Sequence, residues 1–120
     1  MRGDRRYKGL TLRVLDKDAA AIGPGKAELV ERIGRTGSIS AAARAMGMSY
    51  RRAWQLVEAL NDAFREPVVT TAVGGTRGGG ARVTRFGARV VTRFRAMEGR
   101  ASKAIASDLR SFSGLLRRPR

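Results

Sequence analysis

Residues Gly37 to Trp54 read Gly-Ser-Ile-Ser-Ala-Ala-Ala-Arg-Ala-Met-Gly-Met-Ser-Tyr-Arg-Arg-Ala-Trp, and no other stretch narrows the possible folds as far. Ser38 is an N-cap residue, and Ile39, Ala42, Ala43 and Met46 follow it at helical spacing. Gly47 stops that helix and supplies a tight turn. Met48 then plugs the core, and Ser49 caps a second helix predicted from about Tyr50 to Phe64. Ala53, Val57, Leu60 and Phe64 are the inward stripe of that helix, and Pro67 marks its end. Ala43 and Ala53 are small enough for the two helices to cross closely. This is a helix-turn-helix layout, in which the N-terminal end of the second helix is offered to a DNA groove.

The flanks extend the pattern. Leu10 to Leu15 alternates apolar and polar residues as a short half-buried strand does, and Asp16 to Gly25 reads as a connector. Lys26 to Arg35 is predicted helical, with Leu29, Val30 and Ile33 on one face. Beyond Pro67, Val68 to Val73 and Ala81 to Thr84 read as two strands of a hairpin around the glycine-rich turn 74–80. Thr84 caps a long last helix whose apolar residues Phe86, Val90, Phe94, Met97, Ala101, Ile105, Leu109 and Phe112 recur every three or four positions. So long a stripe exceeds what one small core covers. It points to a second copy of the chain, with Val90, Phe94, Met97, Ala101, Ile105 and Leu109 as the expected dimer interface. The expected fold class is α+β, mainly helical: a winged helix-turn-helix with a long C-terminal dimerisation helix. The divisions are a basic arm (1–9), the winged DNA-binding domain (10–84), the long helix (85–113) and a basic tail (114–120).

Charge says what such a module faces. The 120 residues carry 25 Lys and Arg against 10 Asp and Glu, a formal net charge of +15. An excess of that size repels itself unless a polyanion neutralises it, with nucleic acid the default partner and an acidic membrane surface the competitor. From Pro67 to Met97 there is no acid, while Arg77, Arg82, Arg85, Arg89, Arg93 and Arg95 supply six cations. There is no Cys and no His, which excludes disulfides, thiolate chemistry, imidazole bases and most zinc sites. No nucleophile with a base, carboxylate pair or metal cluster stands out, so neither catalysis nor a cofactor is expected. No apolar run approaches a membrane span and no secretory signal opens the chain, so a cytoplasmic, nucleoid-associated protein is expected.

Within this frame the DNA-contacting candidates are Ser38, Ser49, Tyr50, Arg51, Arg52, Gln55, Thr76, Arg77, Arg82 and Arg85. Arg makes bidentate bonds to guanine and Gln to adenine, while Ser and Tyr hydroxyls suit phosphate oxygens. Trp54 is read as packing. The glycine-rich turn is not a nucleotide-binding loop, since Gly79 is followed by Gly80 and Ala81 where Lys and Ser or Thr are needed. It suits a wing, whose glycines bring the backbone close to the sugar-phosphate chain with Arg77 at the tip.

The segment from about Leu29 to Met97 resembles the N-terminal DNA-binding domain of ModE-type molybdate-responsive transcriptional regulators, and more distantly the LysR-type winged helix. The resemblance rests on Gly37-Ser38-Ile39-Ser40-Ala41-Ala42-Ala43, Ser49-Tyr50-Arg51-Arg52-Ala53-Trp54, the glycine run from Gly74 to Ala81, and Thr84-Arg85-Phe86-Gly87. It implies a homodimer on a palindromic double-stranded operator. By position, Ser49, Tyr50, Arg51, Arg52 and Gln55 become readers, and Thr76 and Arg77 wing contacts. The sequence departs at Thr71, where the family often has arginine. It departs further in lacking the Ser-Ala-Arg-Asn type motif of the molybdate-binding domains that follow the winged helix in full-length members. The expectation is therefore a sequence-specific regulator related to molybdenum transport regulators but without an in-chain molybdate sensor. It acts alone, pairs with a separate effector-sensing protein, or is a fragment of a longer chain. The alternative is a non-specific nucleoid-type or RNA-associated basic structural protein.

Overall fold

The structure, a computed structural model, describes residues 9–17, 19–72 and 80–118. Its elements run β1 (Val14–Asp16), β2 (Ala19–Ile22), α1 (Pro24–Thr36), α2 (Ile39–Ala45), α3 (Tyr50–Ala63), β3 (Val69–Ala72), β4 (Gly80–Val83) and α4 (Arg85–Ser113). Three helices, a two-stranded antiparallel wing and a long last helix make a winged helix-turn-helix.

α1 is the centre of the packing and touches α2, α3, α4, β2 and β4. Its Ala27, Leu29, Val30 and Ile33 are buried with Ile39, Ala42 and Ala43 of α2, Ala53, Val57 and Leu60 of α3, Val68 and Val69 at the wing, and Val91 and Phe94 of α4. The helix starts at Pro24, two residues before the expected Lys26, because proline suits a first helical position whose N–H has no partner. Gly37 ends it with an αL cap that donates to Ile33 O.

The N-terminal segment differs from expectation. The strand begins only at Val14, and Leu10 and Val14 are exposed while Leu12 is half-buried against the core. Its partner β2, Ala-Ala-Ala-Ile, lies within the stretch read as a connector, with Leu15 opposite Ala20 and Asp16 opposite Ala19. Alanine carries little strand preference, so β2 had no signature apart from its pairing. Ahead of β1, Gly9 lies against the far half of α4: a Cβ there would stand 3.0 Å from Leu109 Cδ2.

The wing is fixed to α3 by one side chain. Asn61 Oδ1 accepts from Val68 N (2.7 Å) and Val69 N (3.2 Å), and its Nδ2 donates to Val69 O (2.9 Å). In the wing, Val69 faces Val83 and Ala72 faces Gly80. α3 stops at Ala63 and not at Phe64, which turns extended and packs edge-on to Phe86 at 6.4 Å. On α4, Arg95 grips Glu31 of α1 with two bonds (2.8 and 3.1 Å) and Glu98 with a third (2.8 Å).

Candidate nucleic-acid interface

The helix-turn-helix is built from local chemistry. Ser38 Oγ accepts from Ala41 N (2.9 Å) and Ser49 Oγ from Arg52 N (3.0 Å), so each hydroxyl caps its helix and keeps its proton free for an outside acceptor. Gly47 sits at φ 70°, the left-handed conformation that glycine adopts without steric cost. Met48 is half-buried against the core.

On α3, the buried Ala53, Val57 and Leu60 set which residues face away. Successive helical residues turn by roughly 100°. Arg51 and Gln55 therefore lie at the middle of the outer face, with Glu58 and Asp62 further along it, and all four are exposed. The face is thus polarised, with arginine and amide at the N-terminal end and carboxylates beyond, so only the first two turns suit a groove walled by phosphates. Arg52 lies on a flank, within electrostatic reach of Lys26 in the first turn of α1. Tyr50 lies on the opposite flank, 53% exposed. Its hydroxyl oxygen accepts from Trp54 Nε1, and the rings meet edge to face at 6.4 Å. Tyr50 thus packs on its own helix. Trp54 is half-buried against the core, as expected of a packing residue.

On the wing, Ala81 and Val83 of β4 turn to the core while Arg82 points out, as strand alternation requires. Arg85 opens α4, exposed, one residue after Thr84. Thr84 Oγ1 donates to Pro67 O (2.7 Å) and accepts from Gly87 N (2.8 Å), which closes the wing onto the helix. An open cleft of about 410 Å³ lies between the wing and the α1–α2 junction, lined by Gly37, Thr70, Thr71, Ala72, Gly80, Ala81 and Arg82. Thr76 and Arg77 lie outside the described residues.

Two sequence readings change. Arg95 was counted among six cations facing a polyanion, but Glu31 and Glu98 engage it and hold it protonated, so it joins α4 to α1 instead. Phe94, grouped with the dimer contacts, is 1% exposed in the single chain and belongs to its own core. Sequence reasoning also passed over Lys26. It is half-buried at the first turn of α1, and its Nζ donates to Ala20 O (2.7 Å). Burial, with Arg52 and Arg13 as neighbouring charges, lowers its pKa below the usual lysine value. Nothing in the local sequence marks it, since the neighbourhood is made by the fold.

Among the described residues no helix is long and apolar enough to cross a membrane, and no group of three or more His, Cys, Asp or Glu could hold a metal ion.

A capped helix pair, a polarised outer face and a wing that turns Arg82 outward define a DNA-binding module of the winged helix-turn-helix class. The chain belongs to the family described as bacterial regulatory helix-turn-helix protein, lysR family, whose pattern matches residues 26–88. Its domain is of the N-terminal ModE type. It is 43% identical over 100 residues to the molybdenum-pterin-binding protein MopB of Rhodobacter capsulatus, covering 83% of this chain and 37% of that protein. It is 39% identical over 85 residues to the molybdenum transport protein ModE of Azotobacter vinelandii (70% and 32%). Identity is 38% over 82 residues with the DNA-binding transcriptional dual regulator ModE of Escherichia coli K12 (68% and 30%). The chain spans about a third of the length of these relatives.

Proposed function

We propose that the chain is a sequence-selective regulator of transcription that binds a palindromic operator as a homodimer, in the cytoplasm, and controls genes of molybdenum metabolism. The observation that carries DNA reading is the outer face of α3, where Arg51 and Gln55 present base-reading chemistry at the helix N-terminus. Ser38, Ser49, Tyr50, Arg82 and Arg85 then hold phosphates, and Thr76 and Arg77 serve the wing tip. The +15 charge supports the same partner.

Dimerisation is supported by the far half of α4. Met97 (42%) and Phe112 (59%) are exposed, and Ala101, Ile105 and Leu109 between them are half-buried. Val90 is half-buried at the near end, against the chain's own core. The molybdenum link rests on the names of the relatives.

Selection of bound fragments from a random duplex pool tests the reading. A recovered palindrome is expected. Recovery without consensus would favour a non-specific nucleoid-type or RNA-associated protein. Molybdate or tungstate added to the same assay is expected to leave affinity unchanged, whether the chain acts alone, with a separate effector-sensing protein or as part of a longer chain. A shift in affinity would place an oxyanion site in these 120 residues.

A further inference from the structure

Three cations from separate parts of the chain converge at one edge of the reading face. Arg13 precedes β1, Lys26 stands in the first turn of α1, and Arg52 in the first turn of α3. The Arg13 side chain lies along the start of α1, its Cγ 3.0 Å from where a Cβ on Gly23 would stand. The pairing of Val14 with Ile22 holds it there. Lys26 spends one N–H on Ala20 O at 2.7 Å, which leaves two more to donate. Arg52 lies on a flank of α3, near enough for its charge to act on Lys26, and α3 itself contacts β2.

No carboxylate pairs with any of the three among the described residues, whose ion pairs involve Arg32, Arg65 and Arg95. The first turn of α1 contains no acid. Burial and the two arginines depress Lys26, so positive charge is crowded in this neighbourhood. An anion placed among them would relieve that crowding.

We propose that Arg13, Lys26 and Arg52 clamp one backbone phosphate of duplex DNA at the edge of the groove read by Arg51 and Gln55. The clamp rests on the DNA-binding reading above and deepens it. Its chemistry is that of a phosphate oxyanion. DNA is favoured as the source because Arg52 and Arg51 are adjacent on one helix turn, so a phosphate on the flank and a base edge on the outer face are engaged together. Arg52 thereby moves from base reading to fixing the register, since phosphate contacts position a protein on the duplex without reporting sequence.

The test uses Arg13→Gln and Arg52→Gln, singly and together, in the full chain. Binding is measured over a range of salt on a duplex selected from a random pool and on an unrelated duplex. Both arginines are exposed, and circular dichroism with thermal melting checks the fold. In the double variant the slope of log K against log salt is expected to fall by about 0.9 per bound protomer. Affinity for both duplexes falls by the same factor, about tenfold, so their ratio holds. A neutral methylphosphonate at one position per half-site costs the wild type that same factor and the double variant, which keeps Lys26, clearly less.

An unchanged slope in the double variant overturns the clamp. So does a narrowed ratio in Arg52→Gln alone, which returns that residue to base reading. Loss of inorganic phosphate binding with an unaltered DNA slope also overturns it, by assigning the cluster to the free anion. Failure of the wild type to bind either duplex overturns the DNA-binding reading and the clamp with it, an outcome distinct from the others.

Discussion

Gly87 shows how much one missing side chain decides. A Cβ at this position would stand 2.2 Å from Val68 O, so α4 presses directly on the backbone entering the wing. Gly87→Ala is expected to destabilise the chain by about 3 kcal/mol, read as a lower urea midpoint. Gly99 sits in the same helix with nothing within 4 Å of its Cβ position. Gly99→Ala should therefore stabilise, by about 0.5–1 kcal/mol, because alanine loses less backbone freedom on folding. Equal effects at both positions would mean that helix propensity and not the Val68 contact governs Gly87. Asn61 is a second decisive residue, with three bonds to Val68 and Val69. Asn61→Ala leaves the Val68 and Val69 amides without that acceptor and is expected to cost about 2–3 kcal/mol in the same measurement, with an unchanged midpoint counting against a wing anchor. The caps at Ser38, Ser49 and Thr84 were legible in sequence because capping is settled within three residues. The role of Asn61 was not, since its partners lie seven and eight positions away.

At the scale of elements, α2 and α3 were readable because a short turn between two periodic helices admits few arrangements. The outer face of α3 was harder. Tyr50, Arg51, Arg52 and Gln55 look alike as a polar run, and only the buried Ala53, Val57 and Leu60 sort them into centre and flanks. Arg51→Ala and Gln55→Ala are expected to weaken operator binding by about 1–3 kcal/mol each and to relax preference at separate base positions. Competition assays against single-base operator variants check this. A uniform loss on every duplex would make these residues phosphate contacts instead. β2 escaped detection for the opposite reason, as three alanines and an isoleucine carry no periodicity to read. Arg95 was misjudged because its partner Glu31 is 64 residues away. Composition registers the cation but not the ion pair that engages it.

The whole molecule is elongated. Its radius of gyration is 16.5 Å and its longest extent 55 Å, where a compact chain of this length has a radius of about 14 Å. α4 is the cause: 29 residues at 1.5 Å each give roughly 43 Å, of which only the near part enters the core. The length of the helix was legible from its stripe, but sequence does not separate the part that fills the core from the part left uncovered. Val91 and Phe94 fill the protomer, and Met97 onward remains exposed or half-covered. Met97→Glu and Ile105→Glu are expected to give a folded monomer by sedimentation, with operator affinity reduced. A persistent dimer would locate the contact elsewhere. Phe94 is unsuited to this purpose, because a charge there would unfold the protomer before it separated two of them.

In the proposed dimer, the continuity of α4 from core to apolar strip makes it a gauge as well as an attachment. No break lies between Arg85 and Ser113, so the angle between the wing and the strip is fixed by counting residues. One residue inserted after Gly99 rotates the strip by roughly 100° against the reading helix, whereas four nearly restore the original bearing. Such insertions should abolish and then recover binding to a two-fold operator, as the half-sites fall out of phase and back into it. The far half of the helix would thus set the spacing of the DNA site without touching DNA.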